Sequence, residues 1–223
     1  MGYKLIDELK SNPLKCGEEG KTYELLQMYF SGFPLNTLYP LLSHEDSIVR
    51  RGAIWIVSEL GIEGQKFLDD ALKLIYDEDG HTRSYAFDVI VACSEGDRLD
   101  EFFKIIPFLE NETTKFIIMR LLSNVPDDKL RRASEYFGEK NSYNKLHKEG
   151  LLLLSEIRKL SYEQILSMVD SSESLTRKYG MIAIQKLVCV LEQFVYKSME
   201  STDPDISEFS KIECLVKKRM SEI

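Results

Sequence analysis

The stretch Leu41 to Gly61, LLSHEDSIVRRGAIWIVSELG, runs apolar, breaks into an acidic turn, and resumes as a second apolar segment opened by Arg50 and Arg51. Thirty-three residues on, LIYDEDGHTRSYAFDVI repeats the layout. Leu41, Glu45, Asp46, Arg50 and Ala53 map onto Leu74, Glu78, Asp79, Arg83 and Ala86. MVDSSESLTRKYGMIAI fills the same slots with Met168, Glu173, Arg177 and Gly180. Two degraded copies between them place Lys115 and His147 in the basic slot, so the anchors 50, 83, 115, 147 and 177 are spaced 33, 32, 32 and 30. A period of this size marks stacked supersecondary units, each too small to bury its apolar face alone.

Each unit reads as two helices joined by the acidic turn. In the first, Val49, Ala53, Ile56 and Leu60 fall at i, i+4, i+7 and i+11 and draw one buried stripe. Asp46 or Ser47 is placed to cap the second helix, and Gly61 to end it. The small residue three places after the basic anchor (Ala53, Ala86, Gly180) predicts a close helix crossing. The second helix of each unit is expected to begin within a few residues of Arg50, Arg83, Lys115, His147 and Arg177. Residues 35–190 carry the repeats, 1–34 read as an N-terminal cap, and 191–223 as a C-terminal cap of a single domain. In that last cap SMESTDPDIS reads as a polar loop and SEFSKIECLVKKRM as a final helix.

On the second helix of the first repeat, Arg51, Trp55, Ser58 and Glu59 share the face opposite the stripe. The repeat equivalents of Trp55 are Asp88, Arg120 and Ile182. Two of these are charged, which reads the slot as solvent-facing and Trp55 as an anchor for a protein interface. The competing reading makes this lone tryptophan a plug between helices.

Charge sharpens the picture. The 223 residues carry a net charge of −8, and residues 41–112 hold seven bases against sixteen acids. Such a block repels phosphate and attracts basic proteins. The late cluster Lys217 to Arg219 is a thin footprint for nucleic acid. No run of about 18 apolar residues exists and the N-terminus lacks a basic-then-apolar signal, so a cytoplasmic protein that does not cross a membrane is expected. The four cysteines stand apart, as buried free thiols do in a reducing compartment.

Candidate chemistry is sparse. His44, His81 and His147 form no metal-binding spacing and read as surface turn residues. No phosphate-binding glycine loop or nucleophile elbow is present. YDEDG opens like a calcium loop but lacks its distal glutamate and sixth-position glycine, so Asp77 and Asp79 read as helix caps. Asp69 and Asp70 are adjacent rather than convergent. Neither a cofactor, a metal nor catalysis is expected.

The motif HEDSIVRRGA, an aspartate-containing turn followed by Val-Arg and a small residue, resembles HEAT repeats; DEDGHTRSYA matches with Thr82 in place of valine. The resemblance implies an all-α, right-handed α-α superhelix, a solenoid of about five helix-pair repeats with helical caps, whose second helices line the concave surface. The segment SGFPLNTLYPLLSHEDSIVRRGAIWIVSELG is also similar to small bacterial HEAT-like immunity proteins of polymorphic toxin systems. It shares Gly32, Pro34 and Leu35 ahead of a leucine-rich first helix, and the closing SELG. That likeness implies an intracellular protein that binds and blocks a basic toxin domain. The expected partner surface comprises Trp55, Glu59, Asp88 and Arg120 in the groove, with Glu45, Asp46, Glu78 and Asp79 steering the approach. The alternative is a nucleic-acid binder or DNA glycosylase of the HEAT-like alkylpurine type; a lyase or chaperone-like HEAT protein is a third class.

Overall fold

The computed structural model describes residues 1–137, 142–187, 199–201 and 203–211, and every regular element among them is helical. The chain divides into two compact units, Met1–Ile105 and Ile106–Ile223.

The first unit opens with α1 (Gly2–Ser11), α2 (Pro13–Glu18) and α3 (Lys21–Phe30), which pack on one another and reach α5. A 3-10 turn, Leu35–Leu38, runs into α4 (Tyr39–Leu42), and α4 lies against α5 (Ser47–Glu59). A second 3-10 segment, Gly61–Phe67, leads to α6 (Leu68–Leu74), which lies against α7 (Gly80–Cys93). Helices α5 and α7 pack directly together, and α8 (Leu99–Ile105) follows against α7. The predicted pairing of two helices across an acidic turn is therefore present twice in this unit, as α4 with α5 and α6 with α7.

Local chemistry explains the boundaries of α5. The Asp46 carboxylate accepts from the Ile48 amide at 2.8 Å, satisfying a free donor of the first turn. The helix ends at Glu59, and Gly61 then takes φ +58°, a left-handed conformation that a Cβ disfavours. Val49, Ala53 and Ile56 are buried as the stripe predicts, and Ile54 and Val57 join them. Leu60 is only half-buried. The core face is wider than the periodic count because α5 is covered from several sides: by α4, by α7, and by α1 to α3.

The second unit starts with a 3-10 turn, Ile106–Glu110, followed by α9 (Lys115–Asn124), α10 (Asp127–Phe137) and α11 (Ser142–Ser155). Then come α12 (Tyr162–Val169), α13 (Ser174–Lys186) and a helix over residues 204–211, here α14. Helix α10 pairs with α11 and α12 with α13. Helix α13 also packs against both α9 and α11. That central place buries eight of its residues, from Leu175 to Ile184, on nearly every side. Gly180 is the small residue at its crossing with α12, where a Cβ would lie 2.9 Å from the Val169 side chain.

All five second helices begin where expected: α5, α7, α9, α11 and α13 start zero to five residues before their anchors. Ala53, Ala86 and Gly180 are all buried. Cys16 and Cys93 are buried free thiols, while Cys189, Cys214 and the basic cluster at 217–219 lie outside the described residues.

Candidate functional site

The anchor arginines are structural. Arg50 donates through Nη1 to the His44 and Glu45 carbonyls of its own turn, at 2.7 and 2.8 Å. Through Nε and Nη2 it grips the Asp77 carboxylate of the next turn, at 2.6 and 3.1 Å. Asp77 in turn accepts from the Asp79 amide at 2.9 Å. Arg51 sits 3.6 Å from Asp79, whose carboxylate caps α7 by accepting from the Thr82 amide and hydroxyl. Burial pushes the Asp79 carboxyl up, but the Thr82 hydrogen bonds and the Arg51 charge outweigh it and leave the group below its ordinary range. Two consecutive repeats are thus stapled by an Arg-Arg pair meeting an Asp-x-Asp turn.

The second unit repeats the staple within the segment whose sequence predicts a polar loop. Arg177 donates to the Ser171 carbonyl at 2.8 Å and through Nε to Asp203 at 2.5 Å. Asp203 accepts from the Asp205 amide at 2.9 Å, and Lys178 pairs with Asp205 at 3.5 Å. Residues 203–205 therefore form a turn of the same kind as Asp77–Asp79, with Pro204 opening α14. Lys115, in the basic slot of α9, is buried between Glu112 and Asp205. Burial alone would lower its ammonium pKa, but the two carboxylates outweigh that and raise it. The sequence signal for the staple was available at two of the three anchor arginines: an aspartate 27 residues after Arg50 and 26 after Arg177.

His147 departs from its expected place. It is fully buried on α11 rather than exposed in a turn, with Nδ1 2.7 Å from the Tyr179 hydroxyl of α13. Phe137 and Tyr143 pack on the ring. Burial lowers its pKa to about 4, so it is neutral near pH 7. Gly150 makes the arrangement possible, since a Cβ there would lie 2.2 Å from the Tyr179 ring. An enclosed, neutral imidazole of this kind is a polar element of a core and touches nothing in solvent. His81 is exposed at the start of α7, and half-buried His44 accepts from the Asp46 amide through Nδ1 at 3.1 Å, so these two are turn-region residues as expected.

Of the predicted partner-surface residues, Trp55 alone lines a cleft in the first unit. The cleft has a volume of about 420 Å³, with Trp55 of α5 and Tyr85 of α7 on one wall and Pro13, Leu14 and Tyr23 of α2 and α3 on the other. Trp55 is half-buried, between the two readings of the sequence, because α2 and α3 supply a wall opposite it. Glu59 is exposed one turn further along the same face, and Asp88 is half-buried on α7. Arg120 is exposed on α9 and belongs to the second unit. Ile182, the fourth residue of that repeat slot, is fully buried, because α13 is enclosed by its neighbours. Of the acidic turn residues, Asp46 and Asp79 are engaged as caps, while Glu45 and Glu78 point outward.

Among the described residues, no helix is long and apolar enough to cross a membrane, and no cluster of three or more candidate metal ligands occurs. Asp77 and Asp79 are committed to the staple. No protein-family model matches the chain, and the search of curated proteins returns no match.

Proposed function

We propose that this protein is a non-catalytic binding module of the HEAT-like repeat type. It recognises a basic protein domain and, as an immunity protein does with its toxin, holds that domain inactive in the cytoplasm. One observation carries the reading. Residues 1–105 hold eleven bases and nineteen acids, a net charge of −8, while residues 106–223 hold eighteen of each. The charge of the whole chain is thus concentrated on the unit that also presents the tryptophan-lined cleft. Aromatic anchors in a desolvated depression contribute most of the affinity of typical interfaces, and surrounding charge sets approach and partner choice. The same charge disfavours phosphate, because nucleic-acid affinity rests on bases that neutralise it.

The test uses the purified full-length chain as bait in a lysate of the source organism, followed by one-to-one binding of the purified prey. The expected prey is a basic polypeptide whose activity stops on binding. Tight, salt-sensitive retention of duplex DNA or RNA, or release of a modified base, would replace this reading with the nucleic-acid one.

A further inference from the structure

The cleft between α2–α3 and α5–α7 has a chemistry of its own. Its wall charge is uneven. Arg51 is answered by Asp79, whereas Glu18 of the lining and Glu59, one turn past Trp55 on α5 and outside the lining, are exposed carboxylates with no ion pair among the described residues. Its rim is apolar and open: Leu14 and Tyr23 are 59% and 58% exposed, large side chains left in water beside a concave aromatic surface. The lining has room at Gly17, an exposed residue of α2 where a Cβ would meet no atom within 4 Å. Small-molecule sites bury nearly all of their ligand behind enclosing walls. An exposed apolar rim, with one carboxylate in the lining and another a turn past Trp55, fits a chain segment lying across it instead.

We propose that this cleft binds one stretch of a partner polypeptide, in which a bulky apolar side chain is flanked by lysine or arginine. The apolar side chain sits over Gly17 against Trp55 and Tyr85, and the flanking cations meet Glu18 and Glu59. This rests on the protein-binding reading above and adds where the partner is held and which residues it must offer.

The chain contains a single tryptophan, and it lines the cleft, so its emission reports occupancy directly. A random-peptide library displayed on phage is selected against the full chain, and the selected peptides are synthesised and titrated while Trp55 fluorescence is followed. The expected peptides carry an apolar residue between basic ones and shift Trp55 emission to shorter wavelength. Gly17→Leu, which puts a bulky side chain into the open space at the lining, weakens them at least about tenfold, while Gly17→Ala does not. Reversing Glu18 and Glu59 to lysine weakens them and favours charge-reversed peptides. Circular dichroism melts of each variant confirm that the fold is kept. Peptides that bind without moving Trp55 emission, and equally well to Gly17→Leu, overturn the cleft assignment and leave the protein-binding reading standing. Selection of acidic peptides, or of none, overturns the proposal outright. A prey protein that passes the capture test but binds Gly17→Leu unchanged separates the two readings in the same way.

Discussion

Asp77 is a polar residue whose loss the structure makes costly. Its carboxylate is 4% exposed, and the Arg50 side chain that it holds is 15% exposed. Removing one member of a largely buried, two-pronged pair strands the other charge. Asp77→Ala is expected to cost about 3 kcal/mol of stability. Glu78→Ala, at a carboxylate 78% exposed and 3.5 Å from Arg50, should stay within about 0.5 kcal/mol. Urea denaturation of the two variants side by side checks the contrast. Asp203→Ala should repeat the Asp77 result through Arg177.

His147 gives a second expectation at this scale. Its folded pKa, about 4, lies below the ordinary 6.5 because burial penalises the charged form. Between those values the unfolded chain binds a proton that the folded chain does not, so stability rises with pH across that window. The contribution is whole above pH 6.5 and shrinks by roughly 3 kcal/mol on descending to pH 4. Replacing His147 by Gln should flatten the denaturation midpoint between pH 4 and 6.5 relative to the natural chain. The difference between the two curves removes the background of titrating carboxylates.

At the scale of elements, the small residues set how closely helices cross. Ala86 is fully buried on α7, the helix that packs on α5 and α6. Ala86→Leu should force those helices apart and cost about 1 to 3 kcal/mol, read as a lowered melting temperature. This position was legible in the sequence because small residues recur at a fixed distance from the anchor. Gly150 also falls three residues after its anchor, His147, but its reason was not legible: only the packing of α11 on α13 brings the Tyr179 ring onto it. The same holds for Ile182. Its slot reads as solvent-facing from Asp88 and Arg120, and becomes core because α13 has helices on several sides.

At the scale of the molecule, the proposed binding function assigns charge and cleft to different steps of association. Glu45 and Glu78 are exposed rim carboxylates, so changing both to glutamine should slow association and leave dissociation nearly unchanged, with the effect shrinking as salt rises. Trp55→Ala should weaken the complex by about 2 kcal/mol or more through faster dissociation. Surface-plasmon kinetics against the captured partner at two salt concentrations separates these arms. Asp46 and Asp79 are poor choices for the charge experiment, since each caps a helix and its loss destabilises the fold.

The sequence by itself determined what depends on neighbours along the chain. Helix starts follow from caps such as Asp46 and Asp79 and helix ends from Gly61, because a free amide or a left-handed turn is satisfied within a few residues. Buried stripes follow from the 3.6-residue period, and the acidity of the first unit is simple arithmetic. What tertiary structure decided depends on contacts across tens of residues. Arg50 finds Asp77 at a separation of 27 and Arg177 finds Asp203 at 26. His147 is enclosed by α13, and Trp55 gains a facing wall from α2 and α3. A periodic pattern states which side of a helix is apolar, but the number of neighbours on that side, and whether one also covers the opposite face, is settled only when the helices pack.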